Sequence, residues 1–100
     1  MSGNGGSNEI KQCSETALKS CAKLAVLEDK PIMFDYWLPS LEGKVVIGVK
    51  ETKEKLLVKS EDEYTSPISK IYKTGEEFII MTENSIYVVS NTTKSKTITG

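Results

Sequence analysis

The amino-acid sequence predicts an α+β fold, in which one N-terminal helix packs on a curved antiparallel β-meander or small β-barrel of about five to six strands. Three observations predict it. The chain has 100 residues, enough for one hydrophobic core. Apolar residues recur at helical spacing up to residue 28, and after Pro31 short runs of β-forming residues alternate with polar turns. We therefore expect a disordered tail over residues 1–7 and a single domain over residues 8–100.

The helix is predicted over residues 8–28. One apolar stripe, with members three or four residues apart, follows this segment: Ile10, Cys13, Ala17, Cys21 and Leu24. Asn8 suits the N-cap position, and Pro31 prevents the helix from continuing. Because the stripe contains small residues, we expect the helix to lie close against a sheet. A membrane-surface helix is not favoured, since the polar face is not strongly basic.

The β region is predicted over residues 31–99. Its strand-like runs are PIMFDYW, KVVIGVK, KLLVKS, PISKIYK, EEFIIMT, IYVVS and a short last segment, KTIT, that suits an edge strand. The stretch LPSLEG, residues 38–43, holds a proline and a glycine and predicts a loop. Short strands joined by tight turns indicate an antiparallel meander.

The stretch FIIMTENSIYVVS, residues 78–90, predicts a hairpin that is apolar on both faces. If residues 83–84 form its loop, Met81 lies opposite Ile86, and side chains alternate between the two faces. One face then carries Ile79, Met81, Ile86 and Val88, and the other carries Phe78, Ile80, Tyr87 and Val89. We expect the first face to pack on the helix stripe. The second should pack on an opposing sheet or on another subunit.

This second face, formed by Phe78, Ile80, Tyr87 and Val89, is the candidate interaction face. An apolar face that the chain itself leaves uncovered usually marks an interaction site. The sequence therefore predicts a non-catalytic binding or structural protein that acts through protein–protein contacts. It would work as a homo-oligomer or inside a larger protein assembly.

Two absent residue types restrict the chemistry. The sequence contains no His, and all 13 basic residues are Lys. His is the commonest general base and metal ligand near neutral pH, and Arg is the usual bidentate reader of phosphate and guanine. We therefore predict no catalytic residue, no cofactor, no metal site and no strong binding of nucleic acid.

The two cysteines are predicted to stay reduced and buried. On one helix, Cys13 and Cys21 would lie roughly 12 Å apart along the axis. A disulfide requires Cα atoms within about 7 Å of each other. A direct bridge is therefore excluded, and a bridge to another chain is the alternative.

Two other functions remain open. A single-stranded nucleic-acid binder would surround an aromatic-bearing sheet with lysines, although nearby glutamates nearly cancel the charge of the lysine-rich hairpin. Its candidate residues are Lys50, Lys53, Lys55, Lys59 and Trp37. A small-molecule binder, or an enzyme using Tyr, Lys and carboxylate groups, would need a concave pocket. Its candidate loop residues are Tyr64, Thr82 and Asn84.

The N-terminal residues and the apolar runs bear on location. No apolar run approaches the roughly 20 residues that span a bilayer. The first residues, MSGNGGSN, have neither the basic nor the apolar region of a secretory signal. We expect an intracellular protein that does not contact a membrane.

Two segments of the sequence are similar to segments of known proteins. EYTSPISKIY, residues 63–72, followed by TENSIYVV, residues 82–89, resembles segments of small, β-rich proteins of large DNA viruses and phages. The resemblance implies a viral origin and a virion component or host-interaction protein, located in the virion or the host cytoplasm. It implies no catalytic or binding residue.

Overall fold

The computed structural model describes residues 13–98, and in this part of the chain two helices and seven strands follow one another. The helices are α1 (Glu15–Glu28) and α2 (Trp37–Leu41). The strands are β1 (Ile32–Met33), β2 (Val46–Val49), β3 (Lys55–Val58), β4 (Ile68–Lys73), β5 (Glu77–Thr82), β6 (Ile86–Ser90) and β7 (Lys94–Thr97). The predicted α+β class is confirmed. The predicted tail over residues 1–7 lies outside the described residues.

The elements form three layers, because a four-stranded sheet lies between α1 and a three-stranded sheet. The four-stranded central sheet has the order β1-β6-β5-β4, and the three-stranded small sheet has the order β3-β2-β7. Strands β4, β5 and β6 form an antiparallel meander, as predicted. However, β1 pairs parallel with β6, and β7 pairs parallel with β2. The β region is therefore two mixed sheets and not a closed barrel.

Helix α1 begins at Glu15 because Ser14 caps it. The Ser14 Oγ accepts a hydrogen bond from the Ala17 backbone N–H at 3.1 Å. The helix ends where Asp29 adopts a left-handed conformation with φ 54°. The predicted N-cap, Asn8, lies outside the described residues, and the helix that reaches Glu28 begins later than predicted.

The β5–β6 hairpin lies at the centre of the molecule, and both of its faces are covered. Its register is the predicted one, with Met81 opposite Ile86 and Phe78 opposite Val89. One face packs on α1, as predicted, and this first core contains Ala17, Cys21, Leu24, Ile79, Met81, Ile86 and Val88. The second core contains Val45, Ile47, Leu57, Phe78, Ile80, Tyr87 and Val89. Within the candidate interaction face, Ile80 and Val89 are buried against the chain's own small sheet, and Phe78 and Tyr87 are partly buried beside them.

Helix α2 occupies a segment that the sequence predicts as strand and loop. Tyr36 and Trp37 are 5% and 6% exposed, and they enter different cores: Trp37 the first and Tyr36 the second. The Ser40 Oγ accepts a hydrogen bond from the Ser90 backbone N–H at 2.9 Å, which joins α2 to β6. Pro39 is tolerated in the first helical turn, since its missing N–H would have no helical partner there. The tertiary contacts of Tyr36 and Trp37 therefore outweigh the strand-like sequence pattern of this segment.

A buried carboxylate joins the start of α1 to β5. Glu77 is 1% exposed, and it accepts hydrogen bonds from the Ser14 backbone N–H, the Ser14 Oγ and the Thr74 Oγ1. Burial by itself raises the pKa of Glu77, but the hydrogen bonds from Thr74 and Ser14 outweigh it and hold the pKa below its usual value. The charged form is therefore the one that the fold stabilises.

We predict that Ile80→Ala lowers the free energy of unfolding by about 2–5 kcal/mol, because Ile80 is fully buried between the two sheets. Urea unfolding measures it. The matched control is Val26→Ala, whose side chain is 83% exposed and whose effect should stay within about 0.5 kcal/mol. Ile80→Asp should unfold the domain. An Ile80→Ala effect no larger than that of the control would contradict the internal second core.

We predict that Glu77→Gln destabilises the protein at neutral pH by about 1.5–3 kcal/mol, the usual value of hydrogen bonds to a charged group. Since the folded-state pKa is lowered, this stabilisation is present above the unfolded-state pKa and is lost as pH falls through the folded-state pKa. The difference between wild type and variant should therefore shrink in acid, which unfolding titrations between about pH 7 and pH 2.5 measure. Glu76→Gln, at an exposed neighbour, is the control. A difference that does not change with pH would refute the assigned role.

Candidate functional site

An open groove lies on the outer face of the small sheet, the face turned away from the second core. We call it the sheet groove. Its volume is about 980 Å³, and it runs between β3, β7 and the segment 60–67. Its floor is apolar, formed by Leu56, Val58 and Ile98. The surface is therefore concave and apolar at its base, with polar groups around it.

The alternation of side chains along the small sheet produces this floor. Ile47 and Leu57 are opposite each other and point into the second core, so their neighbours Gly48 and Leu56 point outward. A Cβ at Gly48 would lie 2.8 Å from the Ile98 Cδ1. Glycine at this position therefore lets Ile98 pack directly over the strand.

The segment 60–67 forms one wall, and the backbone of β3 holds it in place. The Thr65 backbone N–H donates to the Leu57 O at 2.9 Å, and the Leu57 N–H donates to the Thr65 Oγ1 at 3.1 Å. Tyr64 forms an isolated antiparallel bridge with Val58. These bonds cover the free edge of β3 and leave Tyr64 61% exposed on the rim of the groove.

The charges around the groove are unevenly distributed. Lys50 lies 3.3 Å from Glu54, and this ion pair offsets its charge. Glu61 lines the wall that the segment 60–67 forms. On the opposite wall, Lys96 forms no ion pair with any other residue in the range 13–98. The β7 side of the groove is therefore the positive side.

The structure does not assemble the residues predicted for a nucleic-acid surface. Trp37 is buried in the first core, and Lys59 lies over the Tyr36 ring, with its Nζ 4.7 Å from the ring centroid. Lys59 is also paired with Glu63 at 3.3 Å. Lys53 and Lys55 are exposed on the β2–β3 hairpin and do not line the groove. Only Lys50 of the predicted set lies in the same groove as an exposed aromatic side chain, Tyr64.

The structure also does not bring the residues predicted for a small-ligand site together in one pocket. Tyr64 lines the groove, but Thr82 is fully buried and donates its hydroxyl to the Ser85 O at 3.0 Å. Asn84 is exposed in the β5–β6 loop, and its Nδ2 donates to the Ser66 Oγ at 2.6 Å. Because Ser66 lines the groove, Asn84 supports its wall from behind.

Sequence reasoning missed Leu56, Lys96 and Ile98. The signal for the last two was present in KSKTI, residues 94–98, where alternate residues share one face of a strand. An edge strand was predicted for KTIT, residues 96–99, and the structure has an edge strand two residues earlier, at Lys94–Thr97. The strand that pairs with β7 could not be predicted from the sequence. The chain leaves the central sheet after β6, and β7 then pairs with β2, which lies far earlier in the chain.

The described cysteines form no disulfide with each other, and the described carboxylates form no metal-binding cluster. Cys13 and Cys21 are buried, as predicted, and do not bridge each other. Cys13 precedes α1, however, so the two cysteines do not share one helix as the prediction assumed. Burial raises the pKa of Cys21 to about 11 and that of Cys13 above its usual value. Within residues 13–98, no group of three or more His, Cys, Asp or Glu side chains could hold a metal ion. The helices described here are also too short or too polar to cross a membrane.

We predict at most weak binding of single-stranded oligonucleotides, because the net charge is −1 and nearby glutamates pair with Lys50 and Lys59. Fluorescence anisotropy should show that any binding disappears as salt rises toward about 0.15 M. The double variant Glu54→Gln/Glu63→Gln frees these lysines and should strengthen binding at low salt. Submicromolar binding by the wild type at the higher salt would refute the prediction.

Comparison with known proteins gives no relative with this arrangement. No protein-family model matches the chain. No curated protein matches it. No solved structure matches it. A role for the sheet groove must therefore be inferred from its own side chains and charges.

Proposed function

We propose that this protein is a non-catalytic binding protein that acts through contacts with another protein in a larger assembly, and that the sheet groove is its contact surface. One observation carries the proposal. Both faces of the central sheet are covered by the chain itself, whereas no helix or further sheet of residues 13–98 lies over the outer face of the small sheet. This outer face is therefore the sheet surface that we expect a partner to use, mainly through the partly exposed Val58 and Ile98, since Leu56 is only 5% exposed.

The composition of the groove favours a protein partner. Tyr64 presents a large amphipathic side chain on the rim, and aromatic residues are enriched where protein interfaces concentrate their binding energy. Val58 and Ile98, which are partly exposed, supply an apolar centre with polar groups around it, which is the usual anatomy of an interface. An open groove buries less of a small molecule than an enclosed pocket does, so it suits a segment of polypeptide better.

The geometry also bears on self-association. The face that was expected to support a homo-oligomer is occupied by the small sheet, so a partner must use a different surface. The resemblance of residues 63–72 and 82–89 to small viral proteins suggests one setting for such a role, as a virion component or host-interaction protein. In either setting the partner would contact the outer face of the small sheet.

A displayed library of random peptides, screened against the purified protein, tests this function. We expect the selected peptides to shift backbone amide resonances of β3, β7 and segment 60–67. Tyr64→Ala should lower the affinity of the selected peptides about tenfold or more, which is the range of interface hot spots. The control is Leu27→Ala on α1, whose side chain is 70% exposed and which lies beyond the central sheet. Peptides that are insensitive to Tyr64→Ala, or that shift α1 resonances instead, would refute the proposal.

A further inference from the structure

Among residues 13–98, no strand pairs with the outer edge of β7, which lies beside the sheet groove. Within this range β7 pairs only with β2, and it is the last strand of the small sheet. The Ile98 backbone N–H donates to the Val49 O at 2.9 Å. In a parallel ladder alternate residues bond to the same neighbour, so the backbone groups of Lys94 and Lys96 also face β2. Those of Ser95 and Thr97 therefore point outward, where a further strand would bond.

This edge is the most regular open one among the described strands. The edge of β3 is covered by the return of residues 64–65. The edge strand β4 has a register irregularity between Ile68 and Lys70, which interrupts pairing with an incoming strand. Strand β1 has only two residues. All four residues of β7 are exposed.

The charge at this edge selects what can pair with it. Lys96 lines the groove, and Lys94 lies two residues earlier on the same face of the sheet. Neither forms an ion pair with another residue in the described range. Carboxylates on an added strand would lie beside these two lysines as cross-strand partners.

A second copy of this chain fits the edge poorly. If two β7 strands paired, their lysines would lie close together across the new ladder. Like charges on neighbouring strands destabilise the pair. The positive edge therefore disfavours self-association through β7 and favours a partner of opposite charge.

We propose that β7 accepts an extended acidic segment of the partner protein as an added strand. The segment would bond to the backbone of Ser95 and Thr97, and its carboxylates would pair with Lys94 and Lys96. This inference rests on the proposed function, since it states how the partner that covers the sheet groove is held at the β7 edge beside that groove. Backbone bonds supply affinity in this mode of recognition, and the side chains supply specificity.

Synthetic peptides of alternating Glu and Val test the charge requirement by fluorescence anisotropy at low salt. The peptide with Lys in place of Glu should bind about tenfold more weakly or not at all. The double variant Lys94→Glu/Lys96→Glu should reverse this preference. Lys70→Glu/Lys73→Glu, on the β4 edge, is the matched control and should retain it. Equal binding of the two peptides by the wild type, or no binding of either, overturns the proposal.

Two backbone changes test strand addition. Thr97→Pro removes an outward-pointing backbone N–H and should lower the affinity for the acidic peptide about fivefold or more. Thr97→Val keeps this N–H and should leave the affinity unchanged. Methylation of alternate backbone nitrogens in the peptide should weaken binding without altering the protein. If this methylation has no effect, β7 does not pair with the peptide and the proposal fails, whatever Thr97→Pro does to folding.

The two proposals fail separately. Library peptides that bind in the sheet groove, but that lack acidic residues or are insensitive to backbone methylation, overturn strand addition and leave the binding function standing. Library peptides that bind elsewhere on the protein, together with no binding of the acidic peptide, overturn both.

Discussion

The burial of the β5–β6 hairpin on both faces is the constraint on which the rest of the structure depends. Ile79 and Ile80 are consecutive, nearly unexposed, and members of different cores. Each large side chain that leaves water contributes about 1.5–3 kcal/mol, so neither face can remain uncovered without a large loss of stability. The chain must therefore place an element on each side of the hairpin. Helix α1 covers one side and the small sheet covers the other.

Two local features keep these three layers together. Tyr36 and Trp37 are neighbours in sequence, yet one enters each core, so α2 fixes the position of the layers at the β6 side of the central sheet. Glu77 joins the start of α1 to β5 through hydrogen bonds with Ser14. A carboxylate near the N-terminus of a helix is also favoured by the helix dipole. Apolar burial therefore sets the layers, and polar contacts fix how the helices attach to them.

The same arrangement determines which sheet surface residues 13–98 leave without a covering layer. The inner face of the small sheet, which includes Ile47 and Leu57, packs on the hairpin. Its outer face keeps an apolar floor, because Gly48 allows Ile98 to pack closely over it. Within the part of the chain that the structure describes, the parallel pairing of β7 with β2 leaves the other edge of β7 unpaired, and Lys94 and Lys96 lie on this strand. The sheet groove and the open edge thus follow from how the chain covers its own centre.

The sequence by itself determined the α+β class and the end of α1, because each depends on local periodicity and on turn residues. The observed register of the hairpin from Phe78 to Val89 follows from the sequence once residues 83–84 are assumed to form the loop. It also showed that both hairpin faces are apolar. Only the tertiary structure decided what covers them, since helix, sheet and subunit are equally suitable neighbours for an apolar side chain. The same holds for α2, where Tyr36 and Trp37 satisfy two cores at once. The sheet groove could not be predicted from the sequence for a related reason. Leu56 and Lys96 are distant in sequence, and only the parallel pairing of β2 with β7 brings them onto one face of the small sheet.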